Sequence, residues 1–164
     1  MDFFEVVKQR KSVREYSEKK VDKLLIEKII DAGRLAATAR NEQPWEFIVT
    51  SDKEILNSIC KMCPNGPFIK NAPHLIAVFS KDTKYYIEDS SAATQNMLLA
   101  IEDLGLGGCW IAGDKKEYAE VVRKMFDVPN GYRLVSMVSV GYPKKAQDPK
   151  PKRNVEELLH WEKW

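Results

Sequence analysis

The longest helical pattern in the chain, residues 83–104, has a middle rich in small side chains, SSAATQNMLLAIEDLG. Small side chains let helices approach closely, so this pattern predicts a helix at the centre of the core or at a subunit interface. Two apolar runs frame it. Residues 74–80, HLIAVFS, form a continuous apolar run and read as a buried strand. Residues 132–142, YRLVSMVSVGY, alternate imperfectly, which predicts a strand buried on both faces.

The remaining elements follow from periodicity and punctuation. Residues 2–10 read as a helix that Asp2 can cap, with Phe3, Val6 and Val7 on one face. Residues 22–38 read as a second helix, since Leu25, Ile29, Ala32, Leu35 and Ala36 recur at helical spacing. Gln43-Pro44 closes that region, and WEFIVT (45–50) reads as a strand. Residues 52–62 form a helix with Asp52 as cap, broken by CPNGP. Gly105 is a stop signal, GCWIA (108–112) is a strand or turn, and 115–126 is a further helix. From Lys144 the cation-rich run KKAQDPKPKR holds two prolines and is expected to be extended, with NVEELL resuming a short amphipathic helix. Helices and strands do not alternate strictly, which favours an α+β class over a doubly wound sheet. At 164 residues the chain is expected to be a single domain, 1–164, with 144–164 as an extended arm.

Several chemistries have no support. The net charge of +2 does not point to nucleic acid. Met1 leads into DFFEVVKQRKS, which lacks the pattern of a secretory signal, and no long apolar stretch predicts a membrane span. Three cysteines, an odd number, fit reduced thiols in a cytoplasm. GLGG (105–108) follows a helix and lacks the third glycine of a dinucleotide loop. There is no G-x-S-x-G elbow. Of the two histidines, His74 opens an apolar strand and reads as structural, while His160 reads as solvated. CKMC (60–63) closes a helix, where the dipole has the wrong sign to activate a thiolate, so Cys60 and Cys63 read as small apolar fillers. No metal site is expected.

Four segments carry chemistry. In QRKSVREY (9–16), Arg10, Lys11 and Arg14 fall within five positions. Helix-dipole compensation accounts for Arg10 and Lys11 but less well for Arg14. A phosphate site is the alternative, with Arg forks and the Ser12 hydroxyl as donors. In AATARNEQPWEF (36–47), small residues admit a flat ligand to the backbone, while Asn41 and Gln43 each offer a donor and an acceptor. The bland reading there is a helix end and a turn. In GCWIAGD (108–114), Gly108 and Gly113 permit close backbone approach. The fourth segment is the cationic tail with Lys152 and Arg153, which otherwise reads as a solvated linker.

In their order along nearly the whole chain, these segments resemble the FMN-dependent nitroreductase family. RKSVREY is similar to its R-[RK]-S-x-R-x-[FY] opening and ARNEQPWEF to its N-x-Q-P-W-x-[FI] segment. DSSAATQNMLLAIEDLGLGGCWIAG resembles its central helix and following loop, and VSVGYP with KPKRNVEEL its closing strand and basic tail. The resemblance implies an α+β fold with a central, mostly antiparallel sheet flanked by helices. It implies an intertwined homodimer with C-terminal strand exchange and FMN in the interface. By motif, Arg10, Lys11, Ser12 and Arg14 would hold the phosphate, ribityl and pyrimidine oxygens. Ala37, Thr38, Ala39 and Asn41 would come from the other subunit. Trp110, Ile111, Ala112 and Gly113 would line the flavin near N5, and Lys152 and Arg153 would reach the phosphate.

The implied activity is hydride transfer from NADH or NADPH through FMN to an electron-poor small molecule, a nitroaromatic or quinone, by a ping-pong cycle. The flavin carries the chemistry, so no protein nucleophile is expected, and Lys11 or Arg14 is the candidate electrostatic stabiliser. The alternatives are a flavin enzyme of another type, such as a dehalogenase, and an FMN-binding module without turnover. Two departures stand out. Ala37-Thr38 replaces the family's usual Pro-Ser, so a threonine hydroxyl stands in and the proline's rigidity is lost. The chain is also short for the family, which implies that a segment covering the substrate side is missing.

Overall fold

Four antiparallel strands form the sheet: β1 (Trp45–Thr50), β2 (His74–Lys81), β3 (Gly107–Ala112) and β4 (Tyr132–Gly141), in the order β1-β2-β4-β3. The computed structural model describes all 164 residues. Five helices flank the sheet: α1 (Phe3–Gln9), α2 (Lys23–Arg34), α3 (Lys53–Met62), α4 (Tyr86–Asp103) and α5 (Ala119–Met125). The class is α+β, as the mixed order of elements implies.

The core has two halves because side chains alternate across the two central strands. Leu75, Ala77, Phe79 and Met137 face α3 and α5, where they pack with Leu56, Ile59 and Val122. Ile76, Val78, Val138 and Val140 face α2 and α4, where they meet Ile26, Ile29, Met97, Leu98 and Ile101. Both faces of β2 and β4 are therefore buried. Each such aliphatic side chain contributes about 1.5–3 kcal/mol. No helix is long and apolar enough to cross a membrane.

Local signals set the boundaries. Asp2, Asp22 and Asp52 each accept a backbone N–H of the helix they open, at 3.0, 2.8 and 2.8 Å. Gly105 ends α4 at φ 71°, with its own N–H bonded to Glu102 and that of Leu106 to Ile101. That pairing is the Schellman closure, which requires a left-handed residue.

Three expectations need correction. α2 ends at Arg34, short of 38: Ala36 drops under Trp45 against Ala93, and Leu35, which completed the sequence pattern, is exposed. α5 begins at Ala119, because residues 115–118 form turns that include Lys115 at φ 56°. The expected tail helix is a single turn, Val155–Glu157, as its apolar side chains have nothing in the chain to pack on.

Candidate functional site

The segment after α1 does not lie free as a charged helix end. Ser12 pairs in parallel with Gly108 of β3, and the Val13 N–H bonds the Gly108 carbonyl at 2.9 Å. Residues 11–13 thus run along the outer edge of the sheet. Val13 is buried against Gly107, and Tyr16 anchors the far end, its hydroxyl donating to the Val13 carbonyl at 2.7 Å and lying 2.6 Å from Ser139 Oγ. Burial raises the Tyr16 phenol well above its ordinary range, so it stays a neutral donor.

This docking gathers Arg10, Ser12 and Arg14 around one thiol. Burial raises the Cys109 pKa, opposed by the Arg14 charge, the Ser12 hydroxyl and the Arg10 charge. Arg14 is exposed, with its guanidinium 5.7 Å from the centre of the Phe68 ring. Lys11 differs from these. Its ammonium lies 3.0 Å from Glu102 of α4 and 3.1 Å from the Gln9 carbonyl. Helix-dipole compensation thus leaves Arg14 unexplained, while Lys11 has a carboxylate partner within the chain.

Beside this strip lies the far end of β3. Its side chains alternate: Trp110 and Ala112 are exposed, while Ile111 turns into the core with Cys109. The Ile111 backbone is paired with Met137 of β4, so Ile111 presents neither its side chain nor its backbone to the open edge. Since the Gly108 carbonyl faces the edge, alternation turns the Trp110 and Ala112 backbone groups there too. Tyr118 donates to the Ala112 carbonyl, and burial pushes its phenol up to about 12.

The turn after β3 is held by a β-bulge. Register shifts at Val78/Phe79, leaving Val135 of β4 as the extra residue, and its carbonyl accepts both the Gly113 and Asp114 N–H groups at 3.1 Å. A Cβ on Gly113 would sit 2.9 Å from the Val135 carbonyl carbon and 3.0 Å from the Ser136 nitrogen. Gly113 is required for approach to the protein's own backbone. Gly108 likewise packs under Ile101.

The Ala37–Asn41 segment lies elsewhere, leading into β1 at the opposite sheet edge. Its conformation is strained: Arg40, Asn41 and Gln43 have φ of 54°, 57° and 47°. The Thr38 hydroxyl accepts the Gln43 N–H at 3.1 Å, and Asp89 of α4 accepts the Ala39 N–H at 3.1 Å. Asp89 and Glu102 stand near the two ends of α4, about 20 Å apart by helical rise. The two groups of candidate residues are thus anchored at opposite ends of one helix.

Lys152 and Arg153 lie in the exposed arm, and Arg153 bonds Glu157 within it. Along the arm Val155, Leu158, Leu159, Trp161 and Trp164 are all exposed, Trp161 by 79%. Cys63 is buried in the core and its thiol raised by burial, as expected of a filler; Cys60 is half-buried. His74 is half-buried, its pKa lowered by burial, and its Nδ1 lacks a partner, so it is less fully satisfied than a structural histidine should be. Sequence reasoning missed Asp89, Tyr118 and Val135. Only Asp89 left a signal, an acid directly before the small-residue run SSAAT.

The profile of the nitroreductase family matches residues 7–64 and 60–142. A Methanothermobacter thermautotrophicus protein provisionally named NADH dehydrogenase/NAD(P)H nitroreductase is 35% identical over all of this chain and 88% of its own length. An iodotyrosine deiodinase from Thermotoga neapolitana is 28% identical, covering 95% of both chains. Among solved structures, a provisionally named NADH dehydrogenase/NAD(P)H nitroreductase from Parabacteroides distasonis superposes with TM-score 0.96 at 34% identity, covering 100% of this chain and 99% of its own. An FMN-dependent nitroreductase from Clostridium difficile gives 0.91 at 29%, covering 97% and 98%. The short length is therefore shared with these relatives.

Proposed function

Because the chain belongs to the nitroreductase family, we propose that it is an FMN-dependent oxidoreductase. It takes hydride from NADH or NADPH and delivers it to an electron-poor small molecule, a nitroaromatic or quinone, in a ping-pong cycle. The observation that carries this reading is the pairing of residues 11–13 with β3, which sets Arg10, Ser12 and Arg14 beside the free edge at Trp110–Gly113.

The donor set suits the cofactor. Arg forks and a hydroxyl match phosphate oxygens, and outward backbone amides match the polar edge of a flavin ring. Bound there, FMN supplies hydride uptake and release. Arg10 and Ser12 hold the phosphate. Arg14, exposed and without a carboxylate partner, places positive charge at the pyrimidine edge, a role for which Lys11 is the weaker candidate because Glu102 holds it. Trp110, Ala112 and Gly113 flank the N5 edge, with Ile111 between them fixing the strand to β4. Lys152 and Arg153 reach the phosphate from the arm.

Ala37, Thr38, Ala39 and Asn41 complete the site from a second copy. The two groups stand at opposite ends of α4 and toward opposite edges of the sheet, whereas two copies packed with their α4 helices antiparallel bring the Asp89 end of one to the Glu102 end of the other. The unburied apolar side chains of residues 155–164 support an arm that crosses to the partner and joins its sheet. The folding unit is residues 1–164 as one domain with 144–164 as the arm. Three free cysteines fit a reducing cytoplasm.

The test is an absorbance spectrum. Purified protein incubated with FMN and desalted should be yellow and bleach anaerobically with NADH or NADPH; a colourless protein defeats the reading. The likeness to a deiodinase over 95% of the chain favours a second reading, reductive dehalogenation. Anaerobic reoxidation by a halophenol rather than a nitroaromatic or quinone selects it. Flavin binding with no turnover on any acceptor selects a carrier or sensor.

A further inference from the structure

Asp89 lies in the first turn of α4, where the helix dipole favours an acid, but the exposed Glu88 beside it already serves that purpose and Asp89 is turned inward. It is 6% exposed and neighbours Ala93, which is buried against Ala36 and Trp45. One carboxyl oxygen accepts the Ala39 N–H at 3.1 Å; the other is buried without a partner, as is Ser90 Oγ. Burying a carboxyl group for one hydrogen bond is unfavourable, and an apolar side chain would pack there at lower cost. Trp45 and Ala36 already tie the loop to α4, so attachment alone does not require the acid. What the acid adds is the placement of one backbone amide. That amide precedes Arg40, Asn41 and Gln43, whose left-handed conformations are unfavourable for residues with side chains and need outside support.

We propose that Asp89 is a positioning residue for the second wall of the flavin site. By holding the Ala39 amide, it selects the loop conformation in which Thr38, Ala39 and Asn41 meet the cofactor of the other copy. This rests on the reading that residues 37–41 line the flavin. Asp89 itself touches neither cofactor nor substrate.

The experiment compares wild type, Asp89→Ala and Asp89→Asn as full-length protein, in two assays. Hydrogen exchange of residues 37–43 is measured without FMN, and FMN affinity by quenching of flavin fluorescence. Asp89→Ala should speed exchange in the loop and weaken FMN binding about tenfold, the loss of one hydrogen bond. Asp89→Asn keeps an acceptor in place and should stay within about threefold of wild type in both assays. A purely structural role would lower the unfolding temperature of both variants without this rescue of affinity by asparagine. Asp89→Ser, too short to reach the amide, replaces the alanine variant if that does not fold. The proposal is overturned by native loop exchange in Asp89→Ala, by native FMN affinity in it, or by Asp89→Asn binding as weakly as Asp89→Ala. A wild type that takes up no FMN overturns the cofactor reading and the flavin part of this proposal together. Unchanged loop exchange beside normal FMN uptake overturns the positioning role alone.

Discussion

At one end of α4, residues 10–14 are tied into the sheet: Val13 bonds Gly108, Tyr16 is buried, and Lys11 pairs with Glu102. At the other end, residues 37–43 hold three left-handed side-chain-bearing residues and one hydrogen bond to Asp89. The first wall is made by strand pairing and burial, so its geometry is set with the fold. The second is exposed and held by few contacts, and such segments open at a small fraction of the global stability. A site shared between these walls has one rigid half and one whose shape depends on what it meets.

Removing the arm from Lys152 onward tests that difference most severely. Light scattering should show monomer, and FMN retention should be lost, because the second wall then has no partner to serve; a truncated dimer that stays yellow breaks the picture. Gly113→Ala attacks the rigid half. A Cβ there meets the β4 backbone, so calorimetry should show a loss of about 2–3 kcal/mol, and an unchanged melting curve would mean that the bulge yields. Arg10→Ala should leave the fold intact and weaken FMN about tenfold or more, as removal of a charge-assisted phosphate contact does. Unchanged affinity in the titration removes the phosphate assignment.

Lys11→Met separates anchoring from binding. It strips the partner from a Glu102 side chain only 12% exposed, so stability should fall by about 1 kcal/mol while FMN affinity changes little. A large affinity loss restores Lys11 to the cofactor. The smallest effect concerns His74, outside both walls. Its pKa is lowered from 6.5 by burial, so the unfolded chain takes up the proton first. The stabilisation is full above pH 6.5 and declines as pH falls below it. Replacing His74 with Gln should flatten that acid limb in denaturation curves without altering the FMN spectrum.

Much of the fold was legible in the sequence because its signals are local. The Asp2 and Asp52 caps, the Gly105 stop, the two buried strands and the long α4 follow from residue type and spacing. The errors fell where local signals are ambiguous. Leu35 completes a helical stripe by spacing, yet packing of Ala36 under Trp45 ends the helix first. NVEELL has the pattern of a helix but no surface in its own chain to bury against. At the candidate site, residue types pointed to donors, while exposure and partners did not follow from them. Ile111 and Trp110 look equivalent in GCWIA, and only strand alternation at the sheet edge turns one inward and the other out.

The sequence by itself determined the family, the α+β class and the cations that crowd residues 10–14, because motif order and periodicity are written along the chain. The tertiary structure decided which of those cations has a carboxylate partner, which face of β3 is open, and that two candidate walls stand at opposite ends of one helix. Those outcomes depend on pairings between residues far apart in sequence, Ser12 with Gly108, Lys11 with Glu102 and Ala39 with Asp89, which no local pattern encodes.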